Sequence, residues 1–208
     1  PEYSVLILPN LPVGAGSSNE QGYIFAHPST MTLDPDVMLT FLYDWVLNVA
    51  EHAYWNLFLV SPYTGAGNMK VLDDVCDFFT ESYGMRTVNV TGIAMADSAQ
   101  VAKLAAAAAK LVPGGGLSDP LFEMNGGVLE TSMMLSLNPA RVEPDFRDLD
   151  PVPIRSFEEL TTTANANGWP GYFGAPAKAT PELGREVFSI LADAHAGIIS
   201  STVAGIPW

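Results

Sequence analysis

Three short apolar runs alternate with helix-length segments, and that alternation limits the fold more than any single residue does. Ser4-Val-Leu-Ile-Leu8 is closed by Pro9, Trp55-Asn-Leu-Phe-Leu-Val60 runs into a glycine-containing loop, and Arg86-Thr-Val-Asn-Val-Thr91 partly alternates. The first reads as a strand buried on both faces, and the other two read as further strands. Helix start signals lie between and after them. Asp34-Pro35 supplies an N-cap followed by proline at the first helical position. Asp97-Ser98 opens an alanine-rich helix through Leu111, and Thr180-Pro181 opens a last long helix through about Ala196. Further helices are expected from Asn68 to about Ser82 and from Gly126 or Gly127 to Leu137. Strands and helices in this order predict an α/β fold: a single three-layer domain over residues 1–208 with a mainly parallel central sheet.

The first helix carries a second constraint. Its polar residues fall at Asp36, Thr40, Asp44 and Asn48, four apart, with nearly everything between them apolar. A single narrow polar stripe means a helix covered over most of its circumference, by the sheet on one side and by a neighbouring subunit on another. Composition points the same way. The chain is 48% hydrophobic but only 15% charged, with 23 acidic against 9 basic residues and a formal charge of -14. Thin charge on an apolar-rich chain fits a buried subunit of an assembly. The acidic excess argues against nucleic acid and anionic membranes, both of which need clustered Lys or Arg. No sequence run reaches the roughly 18 uninterrupted apolar residues of a spanning helix, and no leader precedes the first strand, so the cytoplasm is the expected compartment. The single Cys76 excludes an internal disulfide and a cysteine-built zinc cage, and reads as a small core residue.

Four stretches share a further property. Leu8-Pro9 leads through Pro28-Ser-Thr-Met-Thr-Leu33, and Thr64-Gly-Ala-Gly-Asn68 follows directly on a strand. Asn125-Gly-Gly-Val-Leu-Glu-Thr-Ser132 opens a helix, and Gly171-Tyr-Phe-Gly-Ala-Pro176 leads into Ala179-Thr-Pro-Glu182 and Gly184. In this order they resemble the segments of the creatininase family: its Pro-Gly-Thr stretch, its Asn-Gly-His-Gly-Gly-Asn loop, its His-Ala-Gly-x-x-Glu-Thr-Ser motif and its closing Gly-x-Pro…Ala-Thr-x-x-x-Gly motif. The resemblance spans most of residues 4–190. It implies a metal-dependent amidohydrolase fold that holds two divalent ions, Zn or Mn, and assembles into hexamers.

The same resemblance marks what has changed. The family's first ligand segment, Glu-x-His-Gly…Asp, falls before Pro1. Its glycine-rich-loop histidine falls at or near Gly65, its third histidine at Asn125, and an acid that often follows at Val128. Glu130 is kept as a catalytic candidate. Asn68, Asn125 and Glu20 remain as substrate-pocket candidates, although a solvated loop carboxylate is the plainer reading of Glu20. One carboxylate does not hold two ions, so no metal site is assigned to this chain alone; a divalent ion is expected only in an assembly. His27, His52 and His195 share no ligand-type spacing, and His52 and His195 sit late in helices. No nucleophile elbow, Walker loop or dinucleotide fingerprint is present. Gly65-Ala66-Gly67, with Lys70 nearby, reads as a tight turn. Trp169, Tyr172 and Phe173 fit either the lining of a small-molecule pocket or interface anchors, and the second is the preferred reading.

The expected function is a creatininase-like subunit, catalytically silent or half-site, in a metal-dependent amidohydrolase assembly. Its partner is a second copy or a creatininase-like paralogue. Two alternatives stand beside it: an active amide or cyclic-amide hydrolase whose ligand segment lies upstream of Pro1, and a regulatory protein that binds a small molecule.

Overall fold

The computed structural model describes residues 4–16, 33–112, 123 and 125–205. Glu20 and His27 lie outside them. The described residues fall into two compact units that divide between Asn89 and Val90.

The first unit contains α1 (Pro35–Glu51), β1 (Asn56–Leu59), α2 (Ala66–Tyr83) and β2 (Arg86–Asn89). β1 and β2 pair in parallel, with Asn56 opposite Arg86 and Leu59 opposite Asn89. α2 is the crossover between them, and its helical length satisfies the long connection that parallel strands require. α1 begins as expected, with the Asp34 side chain accepting from Asp36 N and Pro35 in the first turn. Its Met38, Leu42 and Val46 pack with Val71, Leu72, Val75, Cys76 and Phe79 of α2 and with Leu59 of β1. Asp36, Thr40, Asp44 and Asn48 form the exposed stripe read from the sequence.

One expected strand is absent. Residues 4–8 form no ladder, and Val5 and Ile7 are more than four-fifths exposed. An apolar run specifies a strand only when a neighbour supplies its hydrogen bonds, and the described sheet has two strands. The sheet is therefore parallel but small, and the fold is mostly helical α/β. The third run is also shorter than expected: after Asn89 the chain passes straight into α3 (Val90–Ala96).

The second unit continues with α4 (Ser98–Leu111), capped by Asp97, then α5 (Val128–Leu137), α6 (Phe157–Ala164) and α7 (Pro181–Ala204). Its main core joins Leu104, Ala107 and Ala108 of α4, Val128 of α5, Phe146, and Leu183 and Val187 of α7. By length and composition α7 is apolar enough to cross a membrane. Only 22% of its apolar stretch is buried in the unit; the buried residues include Leu183, Gly184, Val187, Ala194 and Ile198. The segment from Arg141 to Lys178 is more ordered than its sequence suggests. It holds α6, short 3-10 turns, and an antiparallel bridge between Val152 and Gly174. Trp169 stacks on Phe173 at 4.9 Å, and Phe173 is wholly buried beside Ile154 and Leu160. Phe173, with Trp169 against it, is a core residue of this unit and not the interface anchor expected from sequence.

Candidate functional site

In open α/β sheets, ligands bind in the loops beyond the carboxyl ends of the strands. Beyond β1, that loop is organised by Asn68, which is 3% exposed in the first turn of α2. Its Oδ1 accepts from Ala15 N at 3.0 Å, while its Nδ2 donates to Ser61 Oγ at 3.2 Å and to Tyr63 O at 3.0 Å. Oxygen and nitrogen of the amide are both engaged, so Asn68 holds two loops together. Gly65 is the N-cap of α2, in an extended conformation with no side-chain cap. Lys70, the base nearest that turn in sequence, pairs with Asp74 at 2.6 Å. Beyond β2, the Asn89 side chain donates to Asp73 Oδ1 at 2.8 Å. Cys76 lies in the same core. Burial, and then the carboxylates of Asp73 and Asp77, push its thiol up to about 12, so it is protonated at neutral pH and is a poor nucleophile.

The second candidate region is the start of α5. Asn125 and Gly126 both have positive φ, 52° and 80°. Asn is one of the few residues with a side chain that adopts this left-handed turn readily. The Gly126 amide in this turn and the first amide of α5, Val128 N, each meet a carboxylate. Glu130 Oε2 accepts from Gly126 N at 2.7 Å, and Thr131 Oγ1 donates to Gly126 O at 2.9 Å. Glu123, which sequence reasoning missed, is 3% exposed, and its Oε2 accepts from Val128 N at 3.2 Å and from Ala175 N at 2.9 Å. Gly127, the N-cap, has no side chain with which to do this work, so Glu123 serves the first orphan amide of α5, Glu130 ties the turn before it, and both place negative charge near the positive end of the helix dipole. Gly174, with φ 76°, leaves the room that the Glu123 carboxylate fills; a Cβ there would overlap it.

The remaining motif residues are structural in the same sense. Ser132 is fully buried, and its Oγ accepts from Thr180 N at 3.0 Å. Thr180 in turn accepts from Leu183 N and caps α7. Gly184 lies where a Cβ would overlap the Ser132 carbonyl, so it sets the closest approach of α7 to α5. Tyr172 donates its hydroxyl to Asp150 O at 2.7 Å, and partial burial followed by Asp150 raises its pKa.

These donors do not fit a two-ion site. Among the described residues, no three His, Cys, Asp or Glu side chains stand together as a metal would need. Val128, where the resemblance often places an acid, is 0% exposed and packs into the main core of its unit. Asn125 is exposed, and Glu130 has one oxygen committed to a backbone amide. A carboxylate has a second oxygen, so Glu130 retains the capacity to contact a small ligand. His52 closes α1 through a 2.7 Å contact from Nδ1 to Asn48 O, and burial lowers the pKa of His195 in α7. Both are far in sequence from the motif glutamates.

Comparison with known proteins bears on the whole chain. Residues 1–199 match the family model described as creatininase, creatinine amidohydrolase. No curated protein matches. Among solved structures, a mutant creatininase complexed with creatine superposes with a TM-score of 0.58 at 20% identity, covering 85% of this chain and 68% of that one. A creatinine amidohydrolase crystal structure gives 0.59 at 21%, covering 85% and 67%. A structure described as creatininase Mn gives 0.57 at 20%, covering 85% and 68%. At these identities the structural matches speak to the fold, and the family match speaks to descent. The chain belongs to the creatininase family, a family of metal-dependent amidohydrolases.

Proposed function

We propose that this chain is a creatininase-type subunit that does not complete a metal centre by itself, and that it works, silent or as a half-site, within a metal-dependent amidohydrolase assembly. One observation carries the reading. The motif residues it keeps all have packing duties, and the positions it has changed are the ones where ligands would stand. Ser132, Thr180 and Gly184 join α7 to α5, and Glu130 and Thr131 fasten the Gly126 turn that opens α5. Gly65, Asn125 and Val128 replace two imidazoles and an acid with a helix cap, a left-handed turn and a core side chain. A fold kept under such substitution is still needed for its shape.

Family relatives occur in structures described by Zn, by Mn and by a complex with creatine. The divalent ion and a cyclic amide are therefore the ligands to test in the assembly. Glu130 and Asn125, both at the start of α5, are the residues proposed to border what remains of the pocket; Asn68 is a separate candidate within the first unit. The decisive experiment is native mass spectrometry of the purified chain, with elemental analysis and creatinine turnover on the same sample. The expected result is well under one Zn or Mn per chain and no turnover. A homo-oligomer with stoichiometric metal and hydrolytic activity would sink the proposal in favour of a complete hydrolase.

A further inference from the structure

α1 presents an outer flank that its own unit does not cover. Val37 is 55% exposed and Phe41 44%, and Phe41 stacks on the half-buried Trp45 at 6.5 Å and 20°. The three residues stand four apart, so they form one apolar row along successive turns. Asp36, Val37, Thr40 and Phe41 line a shallow open depression at the start of that row. The other flank of the helix differs: Tyr43 is turned onto Phe78 of α2 at 4.6 Å, a partner within the unit. Apolar side chains in a row at this spacing are the anchors through which one helix packs on another.

Charge decides what the occupant is. The row is bordered by exposed Asp36 and Asp44, and α1 contains no Lys or Arg from Pro35 to Glu51. Two copies of α1 crossing antiparallel near Phe41 would bring the rim carboxylates Asp36 and Asp44 of one helix toward those of the other, with no cation on either helix to pair them. Each copy also carries a formal charge of -14. A second copy is the wrong occupant for this row.

We infer that the Val37–Phe41–Trp45 row docks an amphipathic helix of a different polypeptide, apolar on one face and rimmed with Lys or Arg. This rests on the assembly reading and names the chemistry of the partner. Apolar contact would supply the affinity, and the aspartates would set the orientation and the on-rate.

The test uses the full chain and two synthetic peptides of about 18 residues, roughly five helical turns. Both carry Leu at helical spacing; one has Lys at all other positions and the other Glu. The Lys peptide is expected to bind and the Glu peptide to bind at least tenfold more weakly. Phe41→Ser and Val37→Ser leave the charge unchanged, and each is expected to weaken the Lys peptide about tenfold. Leu137→Ser, at an exposed apolar residue on α5, is expected to change nothing. Equal binding of the Lys peptide to wild type and both α1 variants would mean charge attraction alone and would overturn the inference. So would a homodimer of the chain by native mass spectrometry that Phe41→Ser dissolves, since the occupant would then be a second copy. Metal content and turnover are read separately, so failure of the docking row and failure of the assembly reading are distinguishable.

Discussion

Glu123 sits where three segments meet: the turn before α5, the first amide of α5, and the strand-like stretch that ends at Ala175. Its carboxylate takes two buried amides and fills the space above Gly174. Glu123→Ala removes the one oxygen that accepts from both amides and opens a void, so it should cost ~2–6 kcal/mol, since unpaired buried donors forfeit roughly 1–3 kcal/mol each before any cavity is counted. Glu123→Gln keeps an acceptor oxygen of the same reach and should cost only about 1 kcal/mol. Urea unfolding of the two variants checks this; equal losses would show that acceptor geometry is not what Glu123 supplies. Nothing local in the chain signals this role. Glu123 lies in a loop with no periodicity, and its contact to Ala175 spans 52 positions. Glu130 was legible because it lies within a recognisable motif, but its bond to the Gly126 amide, a helix-start role, shows only in three dimensions.

The α5–α7 contact is the corresponding joint between elements. Gly184→Ala adds a methyl group that must displace the Ser132 carbonyl, and that is backbone, which yields only if one helix moves. Alanine gains about 1 kcal/mol of helix propensity over glycine, while forced separation of packed helices costs roughly 1–3 kcal/mol or more. The substitution should therefore destabilise despite improving the local helix. A variant that melts above wild type would show that α7 does not approach α5 this closely. Elements with chemical punctuation were readable beforehand: Asp34-Pro35, Asp97-Ser98 and Thr180-Pro181 open α1, α4 and α7 as expected. Elements set by tertiary partners were not. Val90–Ala96 begins with β-branched residues yet is helical, and Ser4–Leu8 has strand composition without a described ladder. α6 had a signal that went unread: Ser156 caps Glu159 N, and Glu159 reaches back to Arg155 N, a close relative of the capping box.

For the whole molecule, the controlling quantity is charge. With 23 acidic and 9 basic residues, few carboxylates can find a cation. Lys70–Asp74 and Arg185–Glu182, ion pairs among the described residues, are both exposed local pairs within one helix. Such pairs contribute little, so screening them loses little. Repulsion among the surplus carboxylates acts over longer distances and is what salt would relieve. Raising sodium chloride from about 10 mM to about 150 mM shortens the screening length from roughly 30 Å to 8 Å. Chloride is chosen because sulfate would also strengthen apolar burial and confuse the sign. Relief on the order of 1 kcal/mol would raise Tm by about 2–4 °C for a domain of this size. The same repulsion acts between copies, so salt should also favour homotypic contact and weaken the basic peptide on the α1 row. A Tm that is flat or falls with salt would mean that the acidic surplus is locally neutralised. The charge argument against a second copy on α1 would then lose its foundation, while the contacts that hold α5 to α7 would be untouched.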